Sequence, residues 1–189
     1  VHSFPTRRSS DLLLDGHSYA LAFLVVDIVQ NSELVRTHDK ETIARLYRDV
    51  RKLMQRVVEK RDGRLWLWEG DGGLAAFHMG DINVSAVHSA MEMQHELFLY
   101  NHLWSSIEEH VQVRMSVHSG QVEYREQLEA IESPVLEKAQ RVESQVAAAG
   151  ELAITEMVYD SVDPLVGRWF REDAIGTESY YRYALEFAH

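Results

Sequence analysis

Two acids sit where a carboxylate needs a reason. Asp27 follows Leu24-Val25-Val26 near the end of an almost continuous apolar run, Tyr19 to Ile28. An acid at the end of a buried strand is costly unless a cation or a donor compensates it. Asp71 lies between Gly70 and Gly72, and glycines there let the backbone approach a ligand closely. If the turn carrying Asp71 lies beside the first strand, the two carboxylates converge and offer hard oxygen ligands to divalent cations. Each acid alone also has a plainer role. Asp27 fits as a cap of the following helix, and Asp71 as a turn residue.

The gross composition narrows the classes. The chain has 189 residues, enough for one domain with its own core. No apolar run approaches the roughly 18 to 20 residues that cross a bilayer, so no membrane span is expected. Without cysteine there is no disulfide framework or thiolate chemistry, and a reducing cytoplasm is the expected location. A net charge of −11 argues against a general nucleic-acid binder, which needs a basic footprint. A nucleotide arriving as its metal complex remains compatible with an acidic protein. The ten histidines are scattered without ligand spacing.

Residues 1–12 are expected not to be native. His2 to Leu12, HSFPTRRSSDL, resemble the conceptual translation of a sequencing adapter. The native domain is therefore expected over 13–189, with a true N-terminus and any upstream regulatory domain lost.

The elements that must position the acids follow from periodicity. Tyr19 to Ile28 predicts a buried central strand. Ser32 and Glu33 open a helical region, and Lys40 to Lys60 predicts a long helix whose stripe runs Ile43, Leu46, Tyr47, Val50, Leu53, Met54, Val57 and Val58. Arg64 to Trp68 and Leu74 to His78 predict a hairpin around Glu69 to Gly73. A helix from Asp81 to Asn101 follows, with Val84, Val87, Met91 and Leu97 inward. Val111 to Val117 alternates as a half-buried strand, and Gln121 to Tyr124 is expected to pair beside it. Pro134 starts a helix running to Ala149, with Gly150 as its C′ residue. Glu151 to Ile154 is a strand, Thr155 a helix N-cap, and Ser179 to Leu185 a last strand. Strands separated by helices, plus hairpins, predict an α/β (α+β) sandwich on one mixed sheet.

Taken in order, these segments resemble the class III adenylate/guanylate cyclase catalytic domains, from Tyr19 to about Leu185. Leu24-Val25-Val26-Asp27-Ile28-Val29-Gln30-Asn31-Ser32 resembles the family's first strand and phosphate turn. Gly70-Asp71-Gly72-Gly73-Leu74-Ala75-Ala76-Phe77 resembles its Gly-Asp-Gly hairpin. Val117-His118-Ser119-Gly120 is similar to its His-Thr-Gly element. Val135 to Glu143 resembles the helix carrying an asparagine and, four residues later, a catalytic arginine, here Arg141. Gly150 to Thr155 resembles the strand that follows.

The resemblance implies a ferredoxin-like βαββαβ mixed sheet and a two-metal reaction turning a nucleoside triphosphate into a 3′,5′-cyclic nucleotide and pyrophosphate. Two Mg²⁺ or Mn²⁺ ions would be held by Asp27, Asp71 and the Ile28 carbonyl. The amides of Val29, Gln30, Asn31 and Ser32 would cradle phosphates. Arg141 would stabilise charge at the α-phosphate, a role worth roughly 10³ to 10⁵ in rate elsewhere in phosphoryl transfer. In this family metals and arginine come from different chains, which implies a homodimer with shared sites. The plainer role for Arg141 is a surface arginine paired with Glu137 one turn earlier.

The half-site that reads base and ribose departs from the pattern. The family's adenine-contacting lysine falls on Leu67, its partner acid on Pro134 and the ribose-orienting asparagine on Glu137. A lysine near the last strand falls on Thr177 in a loose alignment. Three readings follow: a cyclase of non-standard base specificity, a nucleotide binder without turnover, or a silent domain kept for dimerisation. A diguanylate-cyclase-like relative is more distant, since Gly-Gly-[Asp/Glu]-Glu-Phe does not occur. Trp66 and Trp68 alternate and are expected on one face, packed or dimer-facing rather than stacked on a base. Glu123 to Glu132 is expected as a solvated loop.

Overall fold

The computed structural model describes residues 13–185; the adapter-like segment 1–12 lies outside them. The first strand, β1 (Ser18–Ile28), is followed by α1 (Asn31–Thr37) and α2 (Lys40–Glu59). The hairpin β2 (Arg64–Glu69) and β3 (Gly72–Phe77) leads into α3 (Ile82–Leu103), and β4 (Val113–Glu123) into α4 (Pro134–Gln145). Then come β5 (Glu151–Thr155), the one-turn helices α5 (Glu156–Tyr159) and α6 (Pro164–Gly167), and the hairpin β6 (Arg171–Ile175) and β7 (Glu178–Ala184). The strands form one mixed sheet in the order β2-β3-β1-β4-β5-β7-β6, in which only β4 and β5 pair in parallel. The unit from β1 through β4 has the expected ferredoxin-like βαββαβ arrangement.

Alternation along β1 divides two cores. Ala22, Leu24, Val26 and Ile28 face α2 and α3, whereas Leu21, Phe23 and Val25 face the side covered by α4. Asp27 follows Val25 in that alternation and so belongs to the α4 side. The predicted α2 stripe is buried at Ile43, Leu46, Val50, Met54, Val57 and Val58, and Asp39 caps the helix through the amides of Glu41 and Thr42. On α3 the buried face is shifted from the expected one. Ala86, Val87, Ala90, Met93 and Leu97 pack inward, while Val84 and Met91 are half-buried.

Several expectations are corrected. Gln121 to Glu123 does not pair beside the preceding strand but continues it, because β4 pairs with β1 along all eleven residues, Ser18↔Glu123 to Ile28↔Val113. Gly120 lies in mid-strand where α4 comes close: a Cβ there would stand 2.7 Å from Val135 Cγ2. Helix α4 ends at Gln145, not Ala149, since the chain turns to bury Ala147 beside Ala153 and Tyr180; Gly150, at φ 79°, instead turns the backbone into β5. Thr155 stands at the N-cap of α5, yet its hydroxyl meets Nδ1 of His118 at 2.9 Å rather than capping the helix. The two tryptophans point to opposite faces. A bulge between Leu65 and Leu67 inserts one residue, so Trp66 packs edge-on against Phe23 and Tyr124 while Trp68 joins the α2/α3 core. Tyr124 and Ile131 are buried, so the acidic stretch around them is anchored rather than wholly solvated.

Candidate functional site

Antiparallel pairing sets the two acids side by side. Asp27 of β1 pairs with Gly72 of β3, the residue directly after Asp71, and the Ile28 amide donates to the Asp71 carbonyl at 2.9 Å. The β2–β3 turn has only two residues, Gly70 and Asp71, with Gly70 at φ 55°, the left-handed region that suits a glycine in this place. Gly72 keeps the approach tight: a Cβ there would stand 3.3 Å from the Val26 carbonyl oxygen and 3.5 Å from Asp27 Oδ1.

After Ile28 the chain turns sharply into α1. Gln30 carries the turn at φ 58° and ψ 22°, a strained conformation for a residue with a side chain, and its carbonyl accepts from the amides of Glu33 and Leu34. Its side chain caps nothing. Asp27, Asp71, the turn 28–32 and Arg114 line one cavity of about 260 Å³. The structure therefore gathers Asp27, Ile28, Val29, Gln30, Asn31, Ser32 and Asp71. A larger cavity of about 570 Å³ at the far end of α3 is lined by Leu97, Phe98 and Val111 without a carboxylate, so the smaller cavity is the one suited to metal and phosphate.

Arg114 escaped the sequence reading. It stands opposite Asp27 in the β1–β4 register and donates from Nη2 to Asp27 Oδ2 at 2.8 Å. Its Nε lies 2.8 Å from Oε1 of Glu143, a buried residue of α4, although the N–H is not directed at that oxygen, so this is an ion pair rather than a hydrogen bond. Burial works against the Arg114 charge, but the Asp27 and Glu143 carboxylates outweigh it and raise its pKa. Burial pushes the Glu143 carboxyl up, with the Arg114 guanidinium pulling the other way. The available signal was an arginine inside an alternating strand, at the position facing away from Val113 and Met115.

The donor set fits a hard divalent ion. The Asp27 and Asp71 carboxylates and the backbone at Ile28 would offer oxygen ligands, and among the described residues no group of three or more His, Asp or Glu side chains could enclose a metal. Partial coordination of this kind suits Mg²⁺, which keeps water and substrate phosphates in its shell.

The remaining candidates lie outside that cavity. Pro134 opens α4 after the Ser133 cap, and Glu137 and Arg141 project from the exposed side of the helix without forming an ion pair with each other among the described residues. The neighbouring Lys138 instead holds Glu178 at 2.5 Å, and Tyr180 donates to the same carboxylate. Leu67 is half-buried on the α4 side of the hairpin beside Trp66. Glu143 and Ala139 face the sheet, so α4 presents Glu137 and Arg141 away from it, to the outside.

No family model matches the sequence, and no curated protein matches it at significance. Solved structures do match. The guanylate cyclase domain of RhGC from Catenaria anguillulae, in complex with GTP, aligns with a TM-score of 0.74 at 15% identity, covering 88% of this chain and 97% of that one. The adenylyl cyclase CyaB from P. aeruginosa aligns at 0.75 and 18%, covering 92% and 98%. A non-canonical dimeric guanylyl cyclase domain of the RhoGC fusion protein from Blastocladiella emersonii aligns at 0.72 and 15%, covering 90% and 97%. Identities this low carry the architecture, over nearly the whole length of each partner. The chain has the fold of the class III adenylyl and guanylyl cyclase catalytic domains.

Proposed function

We propose that this chain is a nucleotidyl cyclase domain, converting a nucleoside triphosphate to a 3′,5′-cyclic nucleotide and pyrophosphate as a homodimer. The observation that carries the reading is the shared cavity of Asp27, Asp71 and the turn 28–32 on a cyclase-type sheet. Mg²⁺ or Mn²⁺, two ions when bound, would acidify the ribose 3′-hydroxyl and neutralise the triphosphate. Asp27, Asp71 and the Ile28 carbonyl would hold them. The amides of Val29 to Ser32 would bind phosphate oxygens, with Arg114 as an added cation at the same cavity. The 3′-hydroxyl gives its proton to solvent water as its oxygen attacks the α-phosphorus, the bond from that phosphorus to the bridging oxygen breaks and pyrophosphate leaves, and Arg141 of a second copy would steady the charge that builds at the α-phosphate. The outward aim of Arg141 supports the shared site.

The base would be read unconventionally. Leu67 and Pro134 offer no side-chain hydrogen bonds, and Glu137 brings a negative charge toward the substrate. Those three positions also favour a second reading, a nucleotide-binding or dimerisation module without turnover. Incubating the purified domain with ATP, GTP, CTP and UTP in Mn²⁺, followed by mass spectrometry, separates the two. A cyclic product from any of them supports the enzyme; none at high protein concentration rejects it.

A further inference from the structure

One residue of the turn at the candidate site is held from outside it. The Tyr47 hydroxyl, half-buried on α2, donates a hydrogen bond to Oδ1 of Asn31. Tyr47 belongs to the packed stripe of α2, touching the core that includes Ile43 and Val50, so its ring is fixed by that packing. Burial pushes the phenol pKa up and the nearby Asp71 carboxylate adds to it, against the opposing pull of the Asn31 bond, so the hydroxyl remains a donor at neutral pH. With its oxygen engaged, the Asn31 carboxamide has one end left. Among the described residues, Nδ2 makes no hydrogen bond, and Asn31 lines the cavity that contains Asp27, Asp71 and Arg114.

We propose that Asn31 is a phosphate-binding residue and Tyr47 its positioning residue: the Tyr47 hydroxyl anchors the carboxamide oxygen, so that the NH₂ group is held toward the cavity as a donor to a phosphate oxygen of the nucleoside triphosphate. An unanchored asparagine can rotate and present its oxygen, an acceptor that repels a phosphate. Anchoring removes that alternative and lowers the ordering cost of binding. This assignment rests on the cyclase reading, since it needs a metal–triphosphate complex at Asp27 and Asp71.

The test uses inorganic tripolyphosphate with Mg²⁺, titrated into the whole chain by calorimetry, with each variant's melting temperature measured alongside. Asn31→Ala should weaken binding about tenfold, the effect of losing one hydrogen bond to a charged group. Tyr47→Phe should weaken it by a smaller factor, and should add nothing in the Asn31→Ala background. Asn31→Asp keeps an acceptor for Tyr47 but replaces the donor with a negative charge, so it should lose binding at least as far as Asn31→Ala. A purely structural role predicts instead that Asn31→Ala lowers the melting temperature and leaves binding to the folded chain unchanged. If Asp27→Ala abolishes binding while Asn31→Ala leaves it unchanged, this proposal falls and the cyclase reading stands. If the unchanged chain binds no tripolyphosphate, both fall. The Asn31 variants decide the matter even if Tyr47→Phe fails to fold.

Discussion

Arg114 and Asp27 face each other across neighbouring strands, Nη2 to Oδ2 at 2.8 Å, and the same guanidinium meets the buried Glu143 at 2.8 Å. A cation so placed does two jobs. It compensates two carboxylates that the sheet and α4 would otherwise bury at a cost, and it keeps a positive charge in the cavity proposed to take phosphate. Arg114→Ala should therefore lower both activity and stability. Leaving Glu143 buried without its partner should cost about 2 kcal/mol, less than for a fully enclosed pair because Arg114 keeps some exposure. Urea unfolding measures that loss. The double variant Arg114→Ala, Glu143→Gln should recover stability but not activity; recovery of both would remove Arg114 from the chemistry.

The two aspartates make a sharper case. Asp27→Ala and Asp71→Ala should each reduce cyclic product below detection in Mn²⁺ assays, with circular dichroism unchanged. Chelation of the unchanged chain with EDTA should do the same, and excess Mn²⁺ should reverse it. Residual product from either variant would refute the shared metal assignment.

Arg141 lies on the outer side of α4, so its contribution should come in trans. Equal amounts of Asp27→Ala and Arg141→Ala chains, each inactive alone, should regain about a quarter of normal activity after random pairing. Half of the dimers are then mixed, and each mixed dimer has one intact site of two. No recovery, with heterodimers demonstrated, would place the whole site within one chain.

His118 gives a pH signature. It is buried beside Thr155, and burial, with help from the Lys138 and Arg141 charges against that of Glu178, pulls its pKa down to about 4. The unfolded chain binds a proton near pH 6.5 that the folded chain refuses until about pH 4. The stability tied to His118 is thus complete above pH 6.5 and disappears as pH falls to 4, amounting to on the order of 3 kcal/mol. Glu178, held by Lys138 and Tyr180 with its pKa near 2, loses its contribution only at lower pH. Unfolding free energies of the unchanged chain and of His118→Asn at pH 7.5 and 4.5 test this. The variant, which retains a partner for Thr155, should show a much smaller difference between the two pH values.

How far the sequence foretold this arrangement depends on the range of the interaction. The apolar run into Asp27 and the glycines around Asp71 are local signals, and both acids line one cavity as their placement suggested. The α2 stripe was equally local. Features that depend on pairing were invisible. The bulge before Leu67 turned the two tryptophans to opposite faces, and nothing in Arg64 to Glu69 announces it. The need for a glycine at position 120 was invisible because the helix that would meet its Cβ lies beyond it in sequence. Strand β6, at the sheet edge, is exposed at four of its five residues and shows no alternation to recognise. Arg114 could be assigned only once β1 and β4 were in register.

Helix α4 rests on β4 at a serine and a glycine: the Ser116 hydroxyl donates to the Ala139 carbonyl at 2.6 Å, and Gly120 leaves no room beneath Val135. The mount of the helix is thereby fixed on its sheet-facing side, while its far side is free of that constraint. Glu137 and Arg141 can change identity without unseating the helix, and Pro134 only begins it. A lineage could therefore exchange one substrate for another, or abandon turnover altogether, by rewriting exposed letters on an unchanged scaffold. The cost of such innovation would fall on recognition and not on folding.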